Sequence, residues 1–113
     1  MKLFITIIIS LLFSATSMAQ STIVTATVSV KGNCEDCKAR IENAADIKGV
    51  KNCVWDQTKQ AVTVTYDSKK VTLEQIEKSI AKSGHKTANQ KQDSAAYNAL
   101  PECCKYESNK HIK

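Results

Sequence analysis

The stretch that determines the fold is residues 23–46, IVTATVSVKGNCEDCKARIENAAD. Its first eight residues alternate small or β-branched apolar side chains with Thr and Ser, the period of two that is typical of a half-buried strand. The pair Gly32-Asn33 is a turn signal. From 34 to 46 the apolar side chains recur on one helical face, and Gly49 is a typical helix stop. The stretch therefore predicts a strand, a cysteine-bearing loop and a helix.

Two more strands and a second helix follow. Residues 52–56 and 62–66 alternate apolar and polar side chains on either side of a polar turn, which is the pattern of a hairpin. Thr72 is the predicted N-cap of the second helix, and Gln75 completes a capping box. A weaker strand signal covers residues 85–89.

The element order is therefore β-α-β-β-α-β. This order predicts an α+β, ferredoxin-like sandwich, in which two helices cover one face of a four-stranded antiparallel sheet. The directions of successive elements place the loop at 32–37 and the loop at 83–85 at the same end of the domain. The domain spans residues 20–90, and a cysteine-containing C-terminal tail spans residues 91–113.

The beginning of the chain has the pattern of a signal peptide. Lys2 precedes an apolar run at residues 3–13, and Ser17-Met18-Ala19 offers small residues at a cleavage site. We expect cleavage after Ala19, no membrane-spanning segment in the mature chain, and a periplasmic or secreted protein. The alternative is a retained N-terminal anchor helix.

Charge and composition argue against a nucleic-acid partner. The chain has a formal net charge of +5 at pH 7, and its basic residues are spread along the sequence without an interleaved row of aromatic side chains. Nucleic-acid binding uses a basic stripe together with stacking groups. The lysines are therefore interpreted as a solvated surface.

Five cysteines suggest a thiol site. An odd number cannot form a closed set of disulfides, so at least one thiol is free, metal-bound or paired with another chain. Cys34 and Cys37, in the predicted loop and first helical turn, can direct both sulfurs toward one ion, and a helix N-terminus lowers thiol pKa. Soft thiolates select Cu(I), Zn(II) and similar ions.

The sequence context of these two cysteines resembles a known family. The stretch from Gly32 to Glu42, then Gly49-Val50, then VTVTYD at 62–67, is similar to the heavy-metal-associated (HMA) domain. That family includes copper chaperones, modules of metal-exporting P-type ATPases and periplasmic mercuric-ion-binding proteins. The resemblance covers about residues 22–90 and implies that Cys34 and Cys37 are the metal ligands. It also implies ligand exchange with a metal-transporting membrane protein or another metal-binding domain.

The loop departs from the family pattern, and this bears on the choice of ion. The family loop usually reads Gly-Met-x-Cys, whereas this chain has Gly32-Asn33-Cys34, one residue shorter and without the Met. Glu35 and Asp36 add negative charge, which favours a more highly charged ion. Two thiolates suit Cu(I) or Hg(II) better than Zn(II), which usually takes four ligands. Cu(I) is the preferred candidate, and Zn(II), Cd(II) and Hg(II) stay open.

Three other side chains are weighed as ligands. His85 lies in the loop expected to face the cysteines, where some similar copper chaperones carry a residue that touches the site; the alternative is an exposed loop histidine. Adjacent cysteines rarely bond to each other, so Cys103 and Cys104 either fold back to complete a metal site or form other disulfides. Cys53 alternates with Trp55 on a strand face and is interpreted as a small buried hydrophobe.

Three classes of function are compatible with these residues. The first is a non-enzymatic metal carrier, chaperone or scavenger. The second is a periplasmic thiol–disulfide oxidoreductase, with Cys34 as nucleophile and Cys37 as resolving thiol. The third is an interaction protein whose cysteines are structural. The sequence favours the carrier.

Overall fold

The computed structural model describes residues 22–107. The elements, in chain order, are β1 (Ile23–Ser29), α1 (Glu35–Ala45), β2 (Val50–Asp56), β3 (Ala61–Asp67), α2 (Leu73–Lys82), α3 (Ser94–Asn98) and a short 3₁₀ helix (Glu102–Cys104). The predicted signal peptide at 1–19 lies outside the described residues. Across 22–107, no helix combines the length and the apolar character that crossing a bilayer requires.

The sheet is antiparallel, with β3 between β1 and β2. One of its faces is buried against the helices, because apolar residues alternate along each strand as the sequence predicts. The buried side chains of this face are Val28, Val30, Trp55, Val62, Val64 and Tyr66. Helices α1 and α2 contribute Cys37, Ile41, Ala45, Ile76 and Ile80 to the same core.

The prediction of a fourth strand at 85–89 is wrong: the sheet formed by the described residues has three strands. Thr87 pairs with Val30 in an isolated bridge beside β1. The chain then turns back at once, because the backbone N–H of Thr87 donates to the carbonyl of Gln90 at 3.0 Å. The fold is thus ferredoxin-like in its layers, with one edge reduced to a single bridge.

The buried carboxylate of Glu77, on α2, explains this turn. Its Oε1 accepts hydrogen bonds from the Thr87 hydroxyl at 2.8 Å and from the Asn89 backbone N–H at 3.1 Å. Its Oε2 accepts from the Asn89 side chain at 3.1 Å. A buried charge is tolerated when such donors surround it. The segment after Thr87 therefore bends toward α2 instead of continuing along β1.

The two long helices differ in how well the sequence defines their beginnings. The capping box of α2 is confirmed, since Thr72 and Gln75 bond reciprocally. The N-cap of α1 is Cys34, and its side chain makes no capping hydrogen bond. A cysteine in this position is thus available for other chemistry.

The tail packs on the domain as part of its core. Leu100, Cys104 and Tyr106 are 5%, 0% and 6% exposed and belong to the same apolar cluster as the sheet and helices. Gly84 has φ +100°, and a Cβ there would lie 2.9 Å from the backbone nitrogen of Tyr97. The backbone of the tail thus approaches the end of α2 as closely as a glycine allows.

The Glu77 network gives a stability prediction. We expect Glu77→Ala to lower the free energy of unfolding by about 1–3 kcal/mol, because the Thr87 hydroxyl and the Asn89 donors lose their acceptor. Urea denaturation of the reduced, metal-free protein measures the loss. Glu74→Ala, on the exposed side of the same helix, is the matched control and should cost less than about 0.5 kcal/mol. Equal losses in the two variants would contradict the assignment.

Candidate metal centre

The two cysteines of the loop lie together at the start of α1. Cys34 is the extended N-cap residue, and Cys37 is fully buried in the first helical turn. Their sulfurs are 3.6 Å apart. The backbone N–H of Asn33 donates to Cys37 Sγ at 3.3 Å. Both sulfurs thus face one point, beside the positive end of the helix dipole.

Trp55 packs against this loop. Its indole N–H donates to the carbonyl of Val30 at 2.9 Å, which fixes the ring beside the turn. A Cβ on Gly32 would lie 2.9 Å from this ring and 3.0 Å from Cys37 Cβ, so the loop approaches Trp55 only because residue 32 is glycine. On the outer side, the Gln57 side chain donates to the carbonyl of Asn33. The loop is therefore held on both sides.

The tail brings two more thiols to the same place. Cys34 Sγ lies 2.8 Å from Cys103 Sγ and 3.6 Å from Cys104 Sγ. The ligand atoms of Cys34, Cys37 and Cys104 all lie within 4.8 Å of one another. A second such group consists of Cys34, Cys103 and the carboxylate of Asp36. Residues almost 70 positions apart in sequence therefore form one sulfur cluster.

Tyr106 fixes the position of the tail. Its hydroxyl donates to the carbonyl of Gly84 and accepts from the backbone N–H of Lys86, both at 3.0 Å. Burial raises the pKa of Tyr106 to about 12, so the hydroxyl keeps its proton at neutral pH. Its ring also packs edge-on against Tyr97, with centroids 5.1 Å apart. Two residues after Cys104, the tail is thus fastened to the loop that follows α2.

His85 lies in that loop and is buried. The alternative to a ligand role, an exposed loop histidine, is wrong, because the side chain is 0% exposed. Its Nδ1 donates to the carbonyl of Lys31 at 2.8 Å, its ring stacks on Tyr106, and the buried Nε2 has no hydrogen-bond partner. His85 belongs to neither group of close ligand atoms among residues 22–107.

Cys53 also stays apart from the sulfur groups. It is half-buried on β2 and packs at the edge of the core. Burial, with the nearby Glu42 carboxylate, raises the pKa of its thiol to about 11. This placement agrees with the packing role expected from the sequence, although burial is only partial.

The clustered thiols differ in acidity. Partial burial acts to raise the pKa of Cys34. Hydrogen bonds from the Cys103 thiol, from the backbone N–H of Cys37 and from the neighbouring thiols lower it by more, so the pKa lies below its ordinary value. Burial raises the pKa of Cys104. The contact with Cys34 raises the pKa of Cys103 to about 11. Of these three thiols, Cys34 is therefore the first to ionise.

A three-stranded antiparallel sheet with two packed helices and clustered thiols at the start of the first helix defines the class as a small α+β metal-binding domain. Residues 25–86, more than half of the chain, match the model of the heavy-metal-associated domain. The chain belongs to this family. The predicted family, which rested on the glycine–cysteine loop and the strand pattern, is confirmed.

Solved structures agree with the family assignment. The CopZ metallochaperone is 28% identical, with a TM-score of 0.56 over 57% of this chain and 100% of its own. Oxidized MerP from Ralstonia metallidurans CH34 is 25% identical, with a TM-score of 0.55 over 60% and 99%. The Cu(I)-loaded N-terminal domain of a potential copper-translocating P-type ATPase from Bacillus subtilis is 29% identical, with a TM-score of 0.53 over 56% and 81%. No curated protein is similar enough to match.

Sequence reasoning missed the residues that position the site. The sequence predicts only a charge effect for Asp36, whereas its carboxylate joins Cys34 and Cys103 in a group of close ligand atoms. Tyr106, which supports the tail, is not among the predicted site residues. One signal could have identified it, since aromatic and apolar side chains in an otherwise polar tail indicate a docked segment.

The buried imidazole predicts a pH dependence of stability. Burial lowers the pKa of His85, so below about pH 6.5 the unfolded chain binds a proton that the folded chain resists. Unfolding free energy is therefore expected to fall as the pH drops from 7 to 5, more steeply in the parent protein than in His85→Phe. Urea denaturation of the reduced, metal-free proteins across this range checks it. Parallel losses would show that His85 contributes nothing to the pH dependence.

Proposed function

We propose that this protein is an exported, non-enzymatic carrier of a soft metal ion, with Cu(I) as the preferred cargo. The observation that carries the proposal is the pair of sulfurs of Cys34 and Cys37, 3.6 Å apart at the start of α1. Membership of the heavy-metal-associated family and similarity to a metallochaperone support metal carriage. Export to the periplasm or the medium rests on the pattern of residues 1–19.

The donor chemistry favours a soft ion. Thiolate sulfur binds Cu(I), Zn(II), Cd(II) and Hg(II) in preference to hard ions such as Mg²⁺ or Ca²⁺. Glu35 and Asp36 lie exposed between the two cysteines and add negative charge, which raises affinity for divalent ions. Cu(I) remains preferred because low coordination by thiolates suits it, and the similar Bacillus subtilis domain was solved in its Cu(I)-loaded state.

Transfer of the ion follows from the unequal exposure of the two sulfurs. Cys34 is partly exposed and Cys37 is fully buried, so a partner's thiolate reaches the ion beside Cys34. Each exchange forms one metal–sulfur bond and breaks another, with no change of oxidation state. The partner is a metal-transporting membrane protein or another metal-binding domain. The relationship to an ATPase domain supports the former.

The thiol–disulfide oxidoreductase considered from the sequence gains no support from the similar structures, which include a metallochaperone and a domain of a copper-translocating ATPase. It is therefore not proposed.

A competition titration tests the carrier. The reduced mature chain is titrated anaerobically with Cu(I), and in parallel with Zn(II), against chelators of known affinity. We expect tight one-to-one Cu(I) binding that is lost in the double variant Cys34→Ser/Cys37→Ser, because the loop then offers no thiolate.

Cys53→Ser is the matched control, since this cysteine is half-buried and lies outside both sulfur groups. Its affinity should equal that of the parent protein. Failure of the fully reduced parent protein to compete for either ion would overturn the carrier proposal. Binding that persists in the double variant would reject Cys34 and Cys37 as the ligands.

A further inference from the structure

We propose that Cys104 of the docked tail is the third thiolate of the metal site, so that Cys34, Cys37 and Cys104 hold the ion and the tail closes over it. The inference rests on the proposed function, because it adds a ligand to the same site. It assigns the tail a role in retaining the cargo until a partner takes it.

The sulfur separations favour more than two ligands. An ion about 2.3 Å from each sulfur, as in zinc–thiolate sites, separates two sulfurs by about 4.6 Å in a linear pair, about 4.0 Å in a trigonal set and about 3.8 Å in a tetrahedral set. Cys34 Sγ lies 3.6 Å from both Cys37 Sγ and Cys104 Sγ. Small shifts thus fit a trigonal or tetrahedral site, whereas a linear pair requires the loop to open by about 1 Å.

The packing of the tail also fixes the position of Cys104. Its side chain is 0% exposed, as is that of Cys37. On one side of it Leu100 is buried in the core, and on the other the Tyr106 hydroxyl bonds to the backbone of Gly84. The backbone N–H of Cys104 donates to the carbonyl of Pro101 at 2.9 Å, which sets the turn that directs the side chain inward. The third sulfur therefore has little freedom to leave the site while the tail is docked.

The neighbouring Cys103 differs from Cys104 in its exposure and in the residues around its sulfur. It is exposed, and the group that contains it includes Asp36 rather than Cys37. Its sulfur lies only 2.8 Å from Cys34 Sγ, too close for both to bind one ion at about 2.3 Å without moving apart by about 1 Å. A soft ion among these groups is best matched by the three sulfurs on the buried side.

The tail thiolate changes how the cargo is released. A partner's thiol loses its proton and forms its bond to the ion as the bond to Cys104 breaks, and the released Cys104 sulfur takes up that proton. No electron is transferred. Because Cys104 is held by Leu100 and Tyr106, complete release requires this part of the tail to detach from the domain. Docking of the tail thus opposes release.

X-ray absorption at the copper edge of the Cu(I)-loaded mature chain tests the inference, because it counts sulfur ligands directly. We expect three sulfurs in the parent protein and in Cys103→Ser, and two in Cys104→Ser. The affinity of Cys104→Ser, from competition titration, should fall at least about tenfold, since even the loss of a supporting group beyond the ligands costs this much. Cys103→Ser should stay within a few-fold of the parent.

The outcomes separate the two proposals. Two sulfurs in the parent protein, or an unchanged sulfur count and affinity in Cys104→Ser, would overturn the third ligand and leave the carrier intact. Failure of the reduced parent protein to bind either Cu(I) or Zn(II) would overturn the carrier itself. If Cys104→Ser fails to fold, as judged by circular dichroism, the sulfur count of the parent protein still decides the inference.

Discussion

The position of the tail depends on the hydroxyl of Tyr106. It donates to the carbonyl of Gly84 and accepts from the N–H of Lys86, so two backbone groups of the loop after α2 depend on one side chain from the tail. Between them, His85 stacks on the same tyrosine ring and donates to the carbonyl of Lys31. Through Tyr106 and His85, these contacts connect the tail, the loop after α2 and the segment that leads into the cysteine loop.

The candidate metal centre consequently has two parts of different origin. The loop with Cys34 and Cys37 is set by Trp55, Gly32 and the start of α1, all within the family domain. Cys104 comes from a segment beyond the matched residues and is positioned by docking alone. The family domain accounts for soft-metal binding, and the added segment accounts for the closeness of the third sulfur. Under the proposal that Cys104 binds the ion, this arrangement retains the ion more firmly than the loop cysteines could alone.

The sequence predicted the elements whose pattern is local. Alternation defined β1 and β3, and the Thr72–Gln75 capping box defined α2, because period and capping depend on nearby residues. The predicted fourth strand does not form, because the carboxylate of Glu77 on α2 redirects the chain at Thr87. No local pattern encodes that pairing. The spacing of Cys34 and Cys37 correctly predicts that their sulfurs lie close together. The apolar and aromatic side chains of the tail indicate that it docks, but the tertiary contacts that position it and that bury His85 have no local sequence pattern.

Docking of the tail in the absence of metal is tested most directly by amide hydrogen exchange of the reduced, metal-free protein, measured by NMR at the backbone N–H of Lys86. Its N–H donates to the Tyr106 hydroxyl, so exchange reports docking of the tail before any metal arrives. We predict that this amide is protected in the parent protein and exchanges much faster in Tyr106→Phe, while amides in the centre of β3 are unchanged. Exchange of Lys86 at the same fast rate in both proteins would contradict a tail that is docked in advance of the metal.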